Sequence, residues 1–368
     1  MKHYAEYVSK GHPDRLCDRI VESIVDYVVK KDKDALCGLE CAVHTNKVFV
    51  DGRIAAGKTR KVISHKKIKE IVREVYKNTQ HNSSIANENF RWEPLDKDLI
   101  IYLDVCIELL SDDERMLRSY SDDQNVVSGY AINNKVTNYL PIAHYLALRL
   151  GREFDLRHEM YNLGPDYKIL VQLTEENGVY EWDRITVSIQ HRQNIKYKDM
   201  FNCVKTMIHK GLEGFFNVPN LTHIDDDKIL LNGAGDFIQG GPEGDNGLSG
   251  KKLCIDFYGP EVPIGRGAIC GKDPHKIDVC GAFKARQLAK ELVIKHGFYS
   301  VFVNLVWSPG EKEPYIIQAF SIDEFGTKML IDESLLPPKD TFSIDCINND
   351  LKLNEMNRYS KVMSGYMW

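Results

Sequence analysis

The chain has 368 residues, with 48 Lys+Arg against 53 Asp+Glu and a formal net charge of -5. Its 43% apolar and 27% charged residues suit a globular chain of about two to three domains. They exclude disorder, a fibrous or collagenous fold and, by the sign of the charge, a strongly basic nucleic-acid binder. Met1 to Lys10 carries no apolar signal-peptide core, and no apolar run reaches the ~20 residues that span a bilayer. The longest candidate, Leu99 to Leu110, is broken by Asp104 and Glu108. Nine cysteines without a CxxC pair read as reduced, mostly buried thiols, and the expected location is cytoplasmic.

Taken in chain order, the elements repeat. Residues 14–30 carry Leu16, Ile20, Ile24 and Val28 at helical spacing, one apolar face of an amphipathic helix. Extended runs 39–44 and 47–54 flank Thr45-Asn46 and predict a hairpin. A second helix follows with Ile68, Ile71, Val72 and Val75 on one face and Ser64 as its N-cap. The same order returns as helix 141–150, strands 168–173 and 184–190 around Glu176-Asn177-Gly178, and helix 197–210. It returns again as helix 278–294, strands 301–307 and 315–322 around Pro309-Gly310, and a helical pattern over 327–335. The expectation is an α+β fold of three similar subdomains, each a β-sheet covered by helices on one face. The boundaries are 1–110, 111–230 and 231–368, and segments 111–138 and 220–275 read as long functional loops.

Two glycine-rich segments precede the third long helix. Gly241, Gly244, Gly247 and Gly250 recur at every third position and end in Lys251-Lys252. Gly265, Gly267 and Gly271 run through Lys272 and Lys276 to Asp278 at a helix start. Glycine lets backbone N–H groups approach an anion, and a helix N-terminus favours one. Together the segments predict one polyphosphate site. His12 and Asp14 in Gly11-His-Pro-Asp-Arg15 open the first helix. One rival exists: Gly52 to Thr59 fits G-x4-G-K-T after a strand, with Ile100 to Asp104 as the partner strand of a P-loop built on Lys58. Against it, the helical pattern starts only near Ser64 rather than within the GKT, and the preceding strand reads as half of a hairpin.

In sequence order these segments resemble the S-adenosylmethionine synthase family. GHPDR at 11–15 is similar to the family's GHPDK, GGPEGDNGLSGKK at 240–252 to GGPxGDxGLTGRK, and GRGAICGKDPHKID at 265–278 to GGGAFSGKDxxKVD. LGPDYK at 163–168, SDDQN at 121–125 and DEFGT at 323–327 match further motifs. The resemblance implies three pseudo-threefold α+β subdomains, and homodimers or homotetramers with active sites between subunits. It implies that methionine sulfur attacks C5′ of ATP and that the displaced triphosphate is hydrolysed. By resemblance His12, Lys168 and Lys272 are catalytic. His12, Asp166, Lys168, Phe237, Asp245, Lys251, Lys252, Ala268 and Lys272 bind ATP, with Phe237 stacked on adenine. Asp123, Asp245 and Lys276 lie near methionine. Asp14 and Asp278 ligate Mg²⁺, and Glu40 ligates K⁺.

The departures gather on the amino-acid side. Arg53 stands where the family has a methionine-contacting Glu, and an arginine would repel the substrate ammonium. The loop after Glu108 reads as shortened and lacks the family's Gln-Ser-Pro-Asp stretch. Asp236 replaces an arginine, Arg15 and Lys251 exchange lysine and arginine, and Arg266, Ile269 and Cys270 break the glycine signature. A paralogue with a different acceptor, or a non-catalytic partner subunit, is therefore the second reading.

Overall fold

The computed structural model describes residues 1–80, 92–215, 218–265 and 267–357. Three four-stranded sheets carry the fold, each with a hairpin at its centre. The first contains β2 (Leu36–His44) and β3 (Lys47–Ala55), flanked by β4 (Ile100–Glu108) and β9 (Gly247–Leu248). The second contains β6 (Leu163–Glu176) and β7 (Val179–His191), flanked by β1 (Lys2–Val8) and β8 (Ile229–Leu231). The third contains β10 (Ser300–Trp307) and β11 (Ile316–Ile322), flanked by β5 (Asn125–Ile132) and β12 (Lys328–Leu330). Each hairpin therefore takes one antiparallel neighbour from another third of the chain: β9, β1 and β5. The segments 111–138 and 220–275 are accordingly not plain loops, because they supply β5, β8 and β9.

Local chemistry accounts for these elements. The β6–β7 turn places Asn177 at φ +51 and Gly178 at φ +77, the left-handed pair that a two-residue hairpin turn needs. Helix α1 (Pro13–Val29) starts with Pro13 at its first position and buries Leu16, Ile20, Ile24 and Val28 completely. Each such side chain stabilises the fold by roughly 1.5–3 kcal/mol. Helix α2 (His65–Gln80) begins where Ser64 Oγ accepts the Lys67 N–H at 3.3 Å. Helices α1 and α2 pack on the first sheet, α4 (Ile142–Arg157) on the second with α5 (Tyr197–Leu212) against it, and α7 (Ile277–His296) on the third with α8 (Ile344–Leu351) against it. Short helices α3 (Asp112–Leu117) and α6 (Leu253–Asp256) lie between units.

The third unit departs from the repeat. The helical pattern expected over 327–335 is instead strand β12, antiparallel to β11, and a short 3-10 turn. Asp323 Oδ1 accepts the N–H groups of Phe325 and Thr327 at 3.0 and 2.7 Å. That tight turn reverses the chain at once, so no crossover helix forms before the edge strand. In the other two units helices α2 and α5 lie between hairpin and edge strand, and β4 and β8 run parallel to their neighbours.

Candidate active site

The site is built on the first turns of α1. His12 caps the helix: its Nδ1 accepts the Asp14 N–H at 3.2 Å, which leaves the ring proton on Nε2. Burial and the nearby Lys168 charge push His12 down to about 3, against the opposing pull of Asp14. The imidazole is therefore neutral at physiological pH. Ser9 Oγ donates to the Pro165 carbonyl at 2.7 Å, and a Cβ on Gly11 would stand 2.4 Å from that oxygen. These contacts lock the segment before α1 onto the start of β6, which carries Asp166 and Lys168. Asp166 is buried, and its Oδ2 accepts the Gly241 N–H at 2.7 Å. Burial raises its pKa to about 6, with Gly241 and Lys168 opposing. Lys168 is exposed.

Carboxylates at every fourth position of α1 then receive both glycine-rich loops. Asp14 accepts the Leu248 N–H at 2.9 Å, Asp18 the Gly250 N–H at 2.7 Å, and Glu22 the Gly271 N–H at 2.8 Å. Spacing by four puts all three on one helix face. This ladder was not anticipated, although the acidic repeat 14–18–22 is visible in the sequence. Gly247 is needed for contact alone: a Cβ there would lie 2.3 Å from the Pro13 carbonyl carbon. A Cβ on Gly250 would meet the Ala268 Cβ at 2.8 Å, so the two loops touch.

The expected cations converge on this junction. Lys252 Nζ lies 2.6 Å from Asp14 Oδ2 and Lys251 Nζ 3.6 Å from Oδ1. Burial raises the Asp14 pKa, but the Lys252 and Leu248 hydrogen bonds outweigh it and hold the group below its usual value. Lys272 Nζ lies 2.7 Å from Asp278 Oδ2. At Gly267, with φ +94, a Cβ would stand 1.7 Å from Asp278 Oδ1 and 3.4 Å from Lys272 Nζ. Phe237 is half-buried; its carbonyl accepts the His191 N–H at 2.9 Å, its own N–H donates to His191 Nε2 at 3.1 Å, and it lies against Gly240. Asp245 is exposed and close enough to raise the pKa values of His12 and Asp166.

The remaining expected residues lie around this cluster. Lys276 pairs with Asp122, the neighbour of Asp123. Glu40 is exposed on β2 and stands in register with Asp51 and, through it, Asp104. Arg53 is opposite Gly38, which bridges to Lys272 on its other side. Its guanidinium binds Glu108 at 2.8 Å and Glu114 at 2.6 Å, so its charge is more than offset. Arg266 lies outside the described residues. Arg15 is buried against Asp18, at 3.2 Å, and Asp256. Among the described residues Asp18, Asp256 and Cys270 form the group whose atoms lie close enough to share an ion. Two of its members already hold the Arg15 guanidinium, which makes it a buried ion cluster rather than a metal centre.

The P-loop geometry is absent from the Lys58 segment. Strands β3 and β4 are parallel with α2 between them, a crossover that the hairpin reading did not anticipate. However, α2 opens at His65, well after Lys58. The Gly57 N–H is taken by Asp32 Oδ2 at 2.7 Å, and Lys58, 66% exposed, faces Asp112 at 3.6 Å. No phosphate cradle is left there.

Three family models match in order. They are the S-adenosylmethionine synthetase N-terminal domain over residues 2–97, the central domain over 119–237 and the C-terminal domain over 239–367. The chain belongs to the S-adenosylmethionine synthetase family. An S-adenosylmethionine synthase of Mesoplasma florum is 30% identical over 341 residues, covering 89% of this chain and 84% of that protein. Another from Petrotoga mobilis is 28% identical, covering 90% and 84%. The fold is shared with an unusual S-adenosylmethionine synthetase from Campylobacter jejuni, with a TM-score of 0.82 at 24% identity over 99% of this chain and 94% of the other. Within this synthetase fold the glycine-rich loops and the α1 carboxylates occupy one continuous site. Among the described residues no helix is long and apolar enough to cross a membrane.

Proposed function

We propose that the chain is a methionine adenosyltransferase that forms S-adenosylmethionine from ATP and L-methionine by sulfur attack on C5′, then hydrolyses the triphosphate to phosphate and diphosphate. The observation that carries the reading is the convergence of His12, Lys168, Lys251, Lys252 and Lys272 on two touching glycine-rich loops in a chain of net charge -5. A thioether sulfur carries no proton, so the attack needs no general base. The barrier lies in alignment and in charge developing on the leaving oxygen.

The neutral His12, with its proton on Nε2, donates a hydrogen bond to the leaving side without adding a cation that must be desolvated. Lys251, Lys252 and Lys272 exchange their carboxylate partners for phosphate oxygens when the nucleotide enters. Asp166 and the Ala268 backbone contact the nucleoside, and Phe237 stacks on the base. Asp123, Asp245 and Lys276 face the amino acid. Asp14 and Asp278 are single hard-oxygen donors beside lysines, which suits Mg²⁺ shared with substrate phosphates rather than caged by protein alone. When bound, that ion neutralises polyphosphate charge. Glu40, in its row with Asp51 and Asp104, offers oxygen donors for K⁺. The three units act as subdomains 1–110, 111–230 and 231–368. The exposed sheet residues Phe49, Tyr102 and Leu248 support a homodimer or homotetramer with sites between subunits, in the cytoplasm.

Incubation with ATP, methionine, Mg²⁺ and K⁺ tests the activity. S-adenosylmethionine appears with phosphate and diphosphate in mass spectra of the products. Triphosphate hydrolysis without S-adenosylmethionine would instead favour the paralogue with another acceptor.

A further inference from the structure

We infer that Asp273, with Arg118, is a positioning residue that sets both Lys272 and Lys276 in place. The inference rests on the reading of these loops as the nucleotide and amino-acid site. Asp273 is fully buried and Arg118 nearly so, and the two form an ion pair. The Asp273 carboxylate also accepts the Cys37 N–H at 2.8 Å and the His275 N–H at 2.9 Å. Three donors from three chain segments therefore fix one side chain.

That side chain controls the lysines through the backbone. Residues 271–273 pair with 37–39 as a short edge strand: Leu39 N–H donates to the Gly271 carbonyl, Gly38 bridges Lys272, and the Asp273 N–H donates to the Cys37 carbonyl. Successive side chains on extended backbone point to opposite faces. Asp273 is turned into the protein, so Lys272, one residue earlier, is turned out toward Asp278. The Asp273 carbonyl accepts the Lys276 N–H at 3.2 Å. Arg118 acts from the other direction, because Asp122, four residues after it, holds the Lys276 ammonium. The His275 ring nitrogens each lie 3.2 Å from a carbonyl, those of Arg118 and Lys33, and close the cluster.

The test measures the affinity of the full chain for the ATP analogue AMPPNP with Mg²⁺ by calorimetry, beside thermal unfolding. Asp273→Asn keeps the shape but removes the charge, and the dissociation constant is expected to rise about tenfold or more, since a small misplacement of a contacting group is costly. The double change Asp273→Asn with Arg118→Gln leaves no unpaired buried charge. It is expected to regain the wild-type midpoint while affinity stays weakened, and it decides the question if the single variant does not fold. A purely structural pair would move the midpoint only; affinities of the folded variants within twofold of wild type would overturn the inference. Wild-type protein that binds no AMPPNP would overturn the functional reading, and the inference with it.

Discussion

At the first turn of α1 and along the glycine-rich loops, cations meet carboxylates that are buried or largely so. Asp14 is 3% exposed where Lys252 reaches it, and Asp278 is 13% exposed where Lys272 does. Around Arg53 the pairs are open to solvent, with 40%, 52% and 30% exposure for Arg53, Glu108 and Glu114. Buried partners keep their strength in a low dielectric, whereas exposed pairs are screened and worth about 0–1 kcal/mol each. The side proposed for the phosphates is therefore held in place before substrate arrives. The side proposed for the amino acid rests on replaceable contacts, and the departures expected from the sequence gather there.

The sharpest break of this contrast is Lys272→Ala. It should lower kcat/KM for ATP by about 10²–10³, the usual cost of removing one preorganised group that stabilises developing charge. Lys58→Ala should leave it within about twofold; steady-state kinetics on both variants also decides against the P-loop rival. Next, Gly267→Ala drives a methyl group into the Asp278 carboxylate. We expect a loss of about 10² in activity, with the midpoint of unfolding measured alongside to show that the fold persists.

On the open side the effects are smaller. Arg53→Ala should shift the methionine KM by about threefold or more while the ATP KM stays within about twofold. It should cost on the order of 1 kcal/mol of stability, read from chemical denaturation. A methionine KM that does not move would separate Arg53 from the amino-acid side. The smallest effect concerns pH. The Asp166 pKa is raised to about 6 from a usual 3.8, so its contribution to stability is fully present below the unfolded value and is lost as pH rises through about 6. Wild type should therefore lose stability relative to Asp166→Asn as pH rises from about 4 to about 6 in thermal melts, with the gap level above that. Equal pH slopes would contradict that assignment.

The legible parts of the molecule are those with local signals. The apolar face of α1, the Asn177-Gly178 turn and the regularly spaced glycines each announce themselves within a dozen residues. Strands β1, β5 and β9 do not, because each pairs with a hairpin from another third of the chain, and such pairing leaves no local trace. The pattern at 327–335 misled because its apolar positions also suit a short edge strand, and the Asp323 turn decides for the strand. At the site, the lysines and Asp14 could be read from motifs. Asp273 and Arg118 could not, since a buried ion pair 155 positions apart in sequence has no signature in either segment. The partners of Arg53, Glu108 at the end of β4 and Glu114 on α3, have no local signature either, because only the fold brings the three segments together.

The central claim is that the gathered cations serve a triphosphate leaving from C5′. ATP carrying ¹⁸O in the bridge between C5′ and the α-phosphorus tests it directly, with methionine present and products followed by mass spectrometry. The account predicts that all of the label leaves in the polyphosphate products and none stays on the nucleoside. Label retained on the nucleoside would mean cleavage between phosphorus and oxygen, and would contradict it.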